Sequence, residues 1–384
     1  MNKLGKKVSA AWVAVILVLV VLIVLLAVLP GNKNTGKTID NKEPIRLGLM
    51  GPLTGEAASW GQNALAATTL AVKEINEAGG INGRMIEIYA EDDKCTADSV
   101  NAITKLINID QVDVIVGPVC SSSAGPAMPI VQQNEIPVIM WTVSAPKITE
   151  IGDNIFRIYP TDTFQGKVGA ELIYNELGKK KVAVIYVKNE WGEGLQEYFD
   201  QTFTSLGGEI VYKTSVLQKE TDFKTEISKI KESGAEAIYA ALYPNTGISF
   251  SKQMNEMGVS LPVVGGDALS GEEVVTSGYT EGLIVTVPKV DTPEELKTKL
   301  KELPGFESLQ VSFVAPLAYD AANMMALAIG RSEDKGTEIK EEIAKMSYKG
   351  ISNPIIEFDE VGDLKTVIFD ILIVKDNEAV LYEA

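Results

Sequence analysis

The sequence predicts an α/β protein with two lobes, each built on a doubly wound parallel sheet. Short β-branched runs alternate along the chain with longer segments of helical period, which is typical of repeated strand–helix units. The predicted strands are continuously apolar, as expected for strands whose two faces are both covered by helices. The roughly 340 residues that follow position 42 are too many for a single sheet of this kind.

Apolar, β-branched runs mark the predicted strands. These runs are 45–50, 85–90, 112–116, 138–141, 182–187, 237–242, 283–287 and 367–374. The first helix is predicted between the first two runs: Ser59 would cap it and the pair Gly79-Gly80 would end it. Turn-rich segments at 159–162 and 288–290 are the predicted crossings between the lobes.

The N-terminal segment is predicted to lie outside the folded domain. Lysines precede an uncharged, largely apolar stretch from position 8 to 32, and about 20 apolar residues are enough to cross a bilayer. This stretch exceeds the ~7–15-residue core of a typical signal peptide, and no A-x-A cleavage site follows it cleanly. We therefore expect a signal anchor at 1–30 rather than a cleaved signal peptide. Residues 31–42 would then be a polar linker, with the rest of the chain outside the cytoplasm.

Composition excludes several classes of function. The chain of 384 residues has no histidine, which removes Ser-His-Asp and Cys-His nucleophile systems and histidine-ligated metal sites. Its two cysteines cannot build a four-cysteine zinc site, and its net charge of −17 disfavours a nucleic-acid partner. The glycines form no G-x-G-x-x-G after a strand, no Walker loop and no G-x-S-x-G turn. We therefore expect neither a cofactor nor an enzyme.

Hydroxyl side chains follow two predicted strands at their carboxyl ends, where open α/β sheets bind ligands. A serine cluster beginning at Ser121 opens a helix after the strand 112–116, and Thr142 and Ser144 follow the strand 138–141. The free N–H groups of a helix N-terminus and nearby hydroxyls can hold an anion such as a carboxylate. The alternative is that one serine only caps the helix.

Acidic and aromatic residues form a second group of candidates. Asp267 follows a short apolar run, where it either contacts a ligand or caps the segment near Ser270. Tyr243 either lines a site or is a turn residue after its strand. Trp60 and Trp191 lie in glycine-flanked loops, where a large ring either packs over its own loop or walls a pocket.

Several motifs carry a family resemblance. They are LGLMGPLTG (47–55), EINEAGGING (74–83), DDKC (92–95), GPVCSSS (117–123), WGEG (191–194) and AYDA (318–321). Together they resemble the leucine/isoleucine/valine-binding family, whose members are extracytoplasmic solute receptors of ABC importers. The resemblance spans residues 45 to about 374 and implies the type I periplasmic-binding-protein fold, in which three crossover strands form a hinge.

The resemblance also implies roles for individual residues. Ser121 and Ser144 match hydroxyl positions that hold the ligand carboxylate, and Thr142 matches a position that contributes backbone groups. Asp267 stands where the family has an acidic residue, often the longer glutamate, that receives the α-ammonium. Aromatic positions around the pocket and the cleft mouth are matched by Trp60, Trp191, Tyr243 and Phe313.

The same resemblance pairs Cys95 with Cys120, and two cysteines in an exported domain are expected to form a disulfide. Lobe 1 would combine 43–161 with 289–365, and lobe 2 would combine 162–288 with 366–384.

The function implied is a monomeric, membrane-tethered receptor that captures an amino acid, branched-chain or similar, and delivers it to an ABC permease. Within this class, the alternative is another small amide or carboxylate ligand, such as a short amide, urea or an aromatic acid. A ligand sensor domain is the alternative outside the class, although the roughly seven residues before the apolar stretch are too few for a signalling domain.

Overall fold

The computed structural model describes residues 43–55, 57–332 and 336–383, which belong to one compact unit, Lys42–Ala384. The predicted anchor at 1–30 and almost all of the linker at 31–42 precede this unit. Both lie outside the described residues and stay predictions. Within the described ranges, no helix is long and apolar enough to cross a membrane.

The first sheet is parallel throughout. Its strands are β1 (Ile45–Gly51), β2 (Ile86–Asp92), β3 (Val114–Val116), β4 (Val138–Met140) and β5 (Ile155–Arg157). They run in the order β2-β1-β3-β4-β5. Val116 of β3 pairs with Ile139 of β4, so the segments that follow these two strands emerge side by side.

The second sheet is mixed. Its parallel strands are β6 (Lys181–Val187), β7 (Glu209–Val216), β8 (Ala237–Ala241), β9 (Val263–Gly265) and β10 (Ile284–Pro288). The short strands β11 (Ser347–Tyr348) and β12 (Ile356–Glu357) pair separately as an antiparallel ribbon. The second sheet is completed by β13 (Phe369–Lys375) and β14 (Glu378–Leu381), in the order β14-β13-β10-β9-β8-β6-β7. Both of these last strands pair antiparallel, unlike the parallel arrangement predicted.

Helices connect the parallel strands. They are α1 (Ala58–Glu77), α2 (Ser99–Asn108), α3 (Ser121–Gln133), α4 (Asp162–Glu171), α5 (Glu190–Ser205), α6 (Lys224–Glu232), α7 (Pro244–Glu256), α8 (Glu272–Val275), α9 (Glu294–Lys301), α10 (Val314–Arg331) and α11 (Gly336–Ala344). Helix α4 continues as a π-helical turn, Leu172–Glu176, and short 3₁₀ segments occupy Pro146–Ile151 and Asp267–Ser270.

The ends of α1 test the sequence prediction directly. Gly79 and Gly80 have φ angles of +106° and +72°, and this left-handed backbone ends the helix as predicted. The predicted Ser59 cap is wrong, because α1 begins at Ala58 and Ala57 makes no side-chain capping bond. Ser59 therefore lies inside the first turn.

Each sheet has its own apolar core. A smaller buried cluster packs α2 and α3 against the first sheet. Of the two larger clusters, one combines strands of the first sheet with α10 and residues up to Leu364, and the other combines strands of the second sheet with α5 and α7. Burying each large aliphatic side chain contributes about 1.5–3 kcal/mol, so each sheet is stabilised largely by its own helices. Trp60 packs against both larger clusters and is one point where the lobes meet.

Within the described residues the chain crosses between the sheets three times, after β5, after β10 and before β13. The last two crossings are adjacent, since the N–H of Lys289 donates to the carbonyl of Ile368 at 2.8 Å. The predicted crossings at 159–162 and 288–290 fall at the first two of these connections. The lobe boundaries given above stay predictions.

Each of the predicted strands is present, with ends shifted by a few residues. The sequence analysis missed β5, β7, β14 and the two-residue strands β11 and β12. Strand β5 has only three residues, whereas β7 and β14 are edge strands with partly or fully exposed side chains. An edge strand lacks the continuous apolar run that marks a strand covered on both faces.

Candidate ligand-binding site

A cavity lies between the carboxyl ends of strands from the two sheets. Its walls are formed by Trp60, Val119, Cys120, Ser121, Thr142, Trp191, Tyr243, Asp267, Ala268 and Phe313. The fold thus brings together every predicted ligand-binding residue except Ser144. Past Trp60, Asp267 and Phe313, the space continues into an outer cleft beside α8.

Ser121 presents a hydroxyl whose hydrogen-bonding direction is fixed by the backbone. It is the first residue of α3, and its Oγ accepts the N–H groups of Ser144 and Ala145 at 3.3 and 3.2 Å. A hydroxyl has two acceptor lone pairs and one hydrogen, so these contacts leave the hydrogen to be donated. Ser121 is therefore arranged as a donor to an anion. The alternative that it caps α3 is wrong, because the N-cap is Cys120 and makes no side-chain capping bond.

The loop that carries Ser121 is cross-linked, as predicted. Cys95 and Cys120 form a disulfide with their Cα atoms 5.4 Å apart. Ser122 Oγ donates to the Cys95 carbonyl at 2.7 Å, and Asp93 accepts the N–H of Cys95 at 2.8 Å. Burial raises the pKa of Asp93 to about 7. The disulfide and these hydrogen bonds hold the start of α3 against the segment after β2.

Thr142 and Ser144 orient the loop after β4. Thr142 Oγ1 donates to the carbonyl of Val119 at 2.6 Å, so this hydroxyl holds the neighbouring loop. The Ser144 side chain is 2% exposed and is not part of the cavity wall. The backbone N–H of Ser144 holds Ser121, while its carbonyl accepts the N–H of Asp162 at 2.8 Å. In this structure Ser144 acts on the site through its backbone.

Arg157 holds the loop after β4 by hydrogen bonds to its backbone. Its side chain is fully buried, donates to the Ala145 carbonyl at 2.8 Å, and pairs with Asp363 Oδ1 at 2.5 Å. Asp363 belongs to the segment that leads into the third crossing. The Arg157 guanidinium therefore connects the loop after β4 to the segment that precedes the third crossing.

Asp267 presents a carboxylate with one free oxygen. The residue is 9% exposed and opens the 3₁₀ segment after β9. Its Oδ2 accepts the hydroxyl of Tyr159 at 2.6 Å, whereas its Oδ1 is buried without a hydrogen-bond partner. Burial raises the pKa of Asp267, while the Tyr159 hydroxyl and the nearby Gln165 amide act in the opposite direction. The alternative that Asp267 caps the segment near Ser270 is wrong. The N-cap of this segment is Gly266, and no side chain forms a capping hydrogen bond there.

Aromatic rings close the cavity. Trp191 stacks on Tyr243 with ring centroids 4.9 Å apart and planes 27° apart, and both residues belong to the second lobe. Trp60 of α1, on the first lobe, approaches Tyr243 to 6.4 Å. Asn189 orients two of these elements, because it caps α5 through the N–H of Gly192 and donates to the Tyr243 hydroxyl at 3.3 Å. The rings of Trp60 and Tyr243 therefore meet across the cleft.

Phe313 is held by a contact that sequence reasoning missed. Asn63 of α1 donates to the Gln310 carbonyl at 2.9 Å and accepts the N–H of Ser312 at 2.8 Å. This buried amide fixes the segment before α10, and Phe313 there stacks on Tyr159 at 6.1 Å. The sequence did contain a signal for this contact, because Asn63 is a polar residue on the apolar side of α1.

Tyr159 and Asp162 are two further residues that the sequence analysis treated only as a turn. Both are buried in the first crossing. Burial, followed by the charge of Asp267, raises the pKa of Asp162 well above its ordinary value. The hydrogen bond of Tyr159 and the charge interaction of Asp162 both involve Asp267, about 100 residues away along the chain, so no local pattern could reveal them.

The cavity offers a hydroxyl donor on one side, a carboxylate on the other and aromatic walls between them. Among the residues that the structure describes, no group of acidic or cysteine side chains is placed to hold a metal ion. A two-lobed α/β fold with three crossings and such an interlobe cavity defines a solute-binding protein. Over residues 44–369 the chain matches the family model described as periplasmic binding protein, and it belongs to this family.

Individual relatives agree with this assignment and with the motif resemblance. The leucine-, isoleucine-, valine-, threonine- and alanine-binding protein of Pseudomonas aeruginosa is 29% identical over 335 residues, covering 86% of this chain and 89% of its own. The branched-chain amino acid transporter substrate-binding protein of Streptococcus pneumoniae, solved with isoleucine, is 26% identical. It has a TM-score of 0.75 and covers 88% of this chain and 97% of its own.

A third relative shares the fold at lower identity. An ABC transporter solute-binding protein of R. palustris, solved with 4-hydroxybenzoate, has a TM-score of 0.77 at 20% identity. The match covers 89% of this chain and 96% of that protein. The fold is therefore found with different ligands.

Proposed function

We propose that the protein captures an amino acid, branched-chain or similar in size, outside the cytoplasm and delivers it to an ABC permease. The observation that carries this proposal is the pair formed by the Ser121 hydroxyl and the free Oδ1 of Asp267. A donor opposite a buried carboxylate complements the carboxylate and ammonium of a zwitterion, and the aromatic walls suit an apolar side chain. The binding specificities named for the Pseudomonas and Streptococcus relatives support the same ligand class.

Capture would proceed by closure of the two lobes. Ser121 and Trp60 belong to the first lobe, whereas Asp267, Trp191 and Tyr243 belong to the second. A ligand that contacts both groups stabilises the closed state, because it loses its contacts with one lobe when the lobes separate. We assign lobe 1 to 43–161 with 289–365 and lobe 2 to 162–288 with 366–384. The chain would act as a monomer that binds its ligand without converting it.

A second candidate is a small carboxylic acid or amide without an ammonium. The raised pKa of Asp267 favours this ligand, because a protonated carboxyl can donate a hydrogen bond to a neutral acceptor. The two candidates differ in the charge that Asp267 carries in the complex.

Thermal unfolding with a panel of amino acids, their amides and aromatic acids tests the proposal. A ligand at a hundred times its Kd stabilises the native state by about 2.7 kcal/mol, which raises Tm measurably. We expect branched-chain or similar amino acids to raise Tm. A panel in which only acids or amides without an ammonium do so would favour the second candidate.

We further propose that residues 1–30 anchor the protein in the membrane and that 31–42 tether the receptor to it. N-terminal sequencing of protein from the native host tests this. An intact N-terminus is expected, whereas a start near Gly31 or later would show a cleaved signal peptide instead.

A further inference from the structure

Tyr159 connects the core of one lobe to the acidic residue of the other. Its side chain is 1% exposed, belongs to the apolar core of the first sheet, and stacks on Phe313 at 6.1 Å. Its hydroxyl reaches across the cleft to Asp267 Oδ2 at 2.6 Å. Asp267 follows β9 of the second sheet, so this hydrogen bond spans the two lobes.

We propose that Tyr159 is a positioning residue that presents Asp267 to the ligand as a charged carboxylate with one free oxygen, and so makes the cleft selective for ammonium groups. The inference rests on the proposed function, in which the ligand is an amino acid. The phenol occupies Oδ2, which turns the unpartnered Oδ1 toward an incoming N–H donor. A hydrogen bond to an ionised acceptor is stronger than one to a neutral acceptor, so it favours the charged form of Asp267.

The surroundings of Asp267 make this contact necessary. Burial raises the pKa of Asp267, and the neighbouring Asp162 adds a second buried acid from the start of α4. Burial and the charge of Asp267 hold the pKa of Tyr159 well above its ordinary value, so the phenol keeps its proton and stays a donor. The hydrogen bond from Tyr159 therefore opposes the environment that would otherwise protonate Asp267.

The other groups around Asp267 do not replace this donor. Gln165 of α4 also lowers the pKa of Asp267, but its amide donates to the carbonyl of Thr286 at 2.7 Å. The phenols of Tyr239 and Tyr243 have pKa values raised by burial, so both stay neutral. Strand β10, with sequence IVTVP, brings no ionisable side chain. Glu272 and Glu273 of α8 and Lys252 of α7 are exposed.

The replacement Tyr159→Phe tests the proposal, because it keeps the ring on Phe313 and removes only the hydroxyl. Calorimetry across pH with the amino acid that the parent binds most tightly is the measurement. At neutral pH we expect binding about ten- to a hundredfold weaker, the usual effect of losing a hydrogen bond to a charged group. The acid limb, where affinity falls as Asp267 gains a proton, should move to higher pH. Tyr239→Phe is the matched control, since its buried hydroxyl has no hydrogen-bond partner and its loss should leave affinity and limb unchanged.

Measuring Tyr159→Phe in the Asp267→Asn protein as well separates a positioning role from a general structural role. If Tyr159 acts through Asp267, then Tyr159→Phe should change affinity by less than about threefold when Asp267→Asn is already present. A structural role would weaken binding equally in both backgrounds. Should Tyr159→Phe be unfolded at the assay temperature, all of the variants are compared at a lower temperature at which it is folded.

The outcomes are distinct. Parental affinity and an unmoved acid limb in Tyr159→Phe would overturn the inference while leaving the proposed function intact, and so would an equal loss in both backgrounds. A parent protein that binds no amino acid would overturn the proposed function itself.

Discussion

Replacing Asp267 by asparagine should remove most of the affinity for an amino acid. Asparagine has the same shape, so its amide oxygen can still accept the Tyr159 hydroxyl bonded at 2.6 Å to the parent carboxylate. The group facing the cavity then becomes an NH₂ donor instead of a carboxylate oxygen. An ammonium that lost its aqueous solvation in the closed cleft would have no anionic partner.

The size of the effect follows from burial. Asp267 is 9% exposed and its Oδ1 has no partner in the protein, so the ligand ammonium would be its principal counter-charge. Truncating one partner of a buried charge pair costs roughly 2–5 kcal/mol. At ~1.4 kcal/mol per decade, the Kd should rise about thirtyfold to several thousandfold.

Although Asp267→Asn should weaken binding, it should not lower the stability of the ligand-free protein. Burial raises the pKa of Asp267 in the folded state, so the ionised carboxylate lowers the free energy of unfolding as pH rises through that pKa. At pH 7 the neutral asparagine avoids this cost. We therefore expect Asp267→Asn to unfold at the parental Tm or above it while binding poorly.

Calorimetry and thermal unfolding of the two proteins test both statements. Asp320→Asn is the control. This buried aspartate accepts the N–H of Ser352 at 2.8 Å and does not line the cavity, so its replacement should change the stability of the protein but not the Kd for the ligand. An Asp267→Asn protein that binds its amino acid as tightly as the parent would refute the assignment of the ammonium site.

Three further changes test the framework of the site. Replacing both Cys95 and Cys120 by serine opens a loop with a sequence separation of 25, which should cost about 3.5 kcal/mol of stability in the chain-entropy model; an unchanged denaturant midpoint would contradict this. Arg157→Met leaves Asp363 without its partner and should cost roughly 3–5 kcal/mol, measured by urea unfolding; a loss below about 1 kcal/mol would show that the pair does not hold the hinge region. Trp60→Ala should weaken ligand binding by at least about 2 kcal/mol, or thirtyfold in calorimetry, because this ring closes the cleft from the first lobe. Parental affinity in that variant would place the ligand elsewhere.

Most of the fold was predictable because buried parallel strands carry a strong local pattern. Continuous apolar runs identified strands such as β6 and β8, whose side chains are buried on both faces. The antiparallel direction of β13 and the presence of β14 were not predictable in this way. Strand direction depends on the connection between elements, and every residue of β14 is exposed.

The position of the candidate site was also predictable, since residues after neighbouring parallel strands meet at one edge of a sheet. This rule placed Ser121 and Asp267 at the ends of their strands, where both line the cavity. The rule does not say which way a side chain turns, and Ser144 accordingly follows the correct strand but contributes its backbone. Tyr159 was missed because its partner lies 108 residues away along the chain. A contact between residues so far apart in the sequence depends on how the two lobes pack together.

The central claim is that the cleft binds a zwitterion between Ser121 and Asp267. Calorimetry with three matched ligands tests it most directly: the best-binding amino acid of the panel, the same acid without its amino group, and its amide. We predict that the zwitterion binds and that each of the other two binds at least about thirtyfold more weakly, because each lacks one charged group. Equal binding of the acid that lacks the amino group would contradict the account.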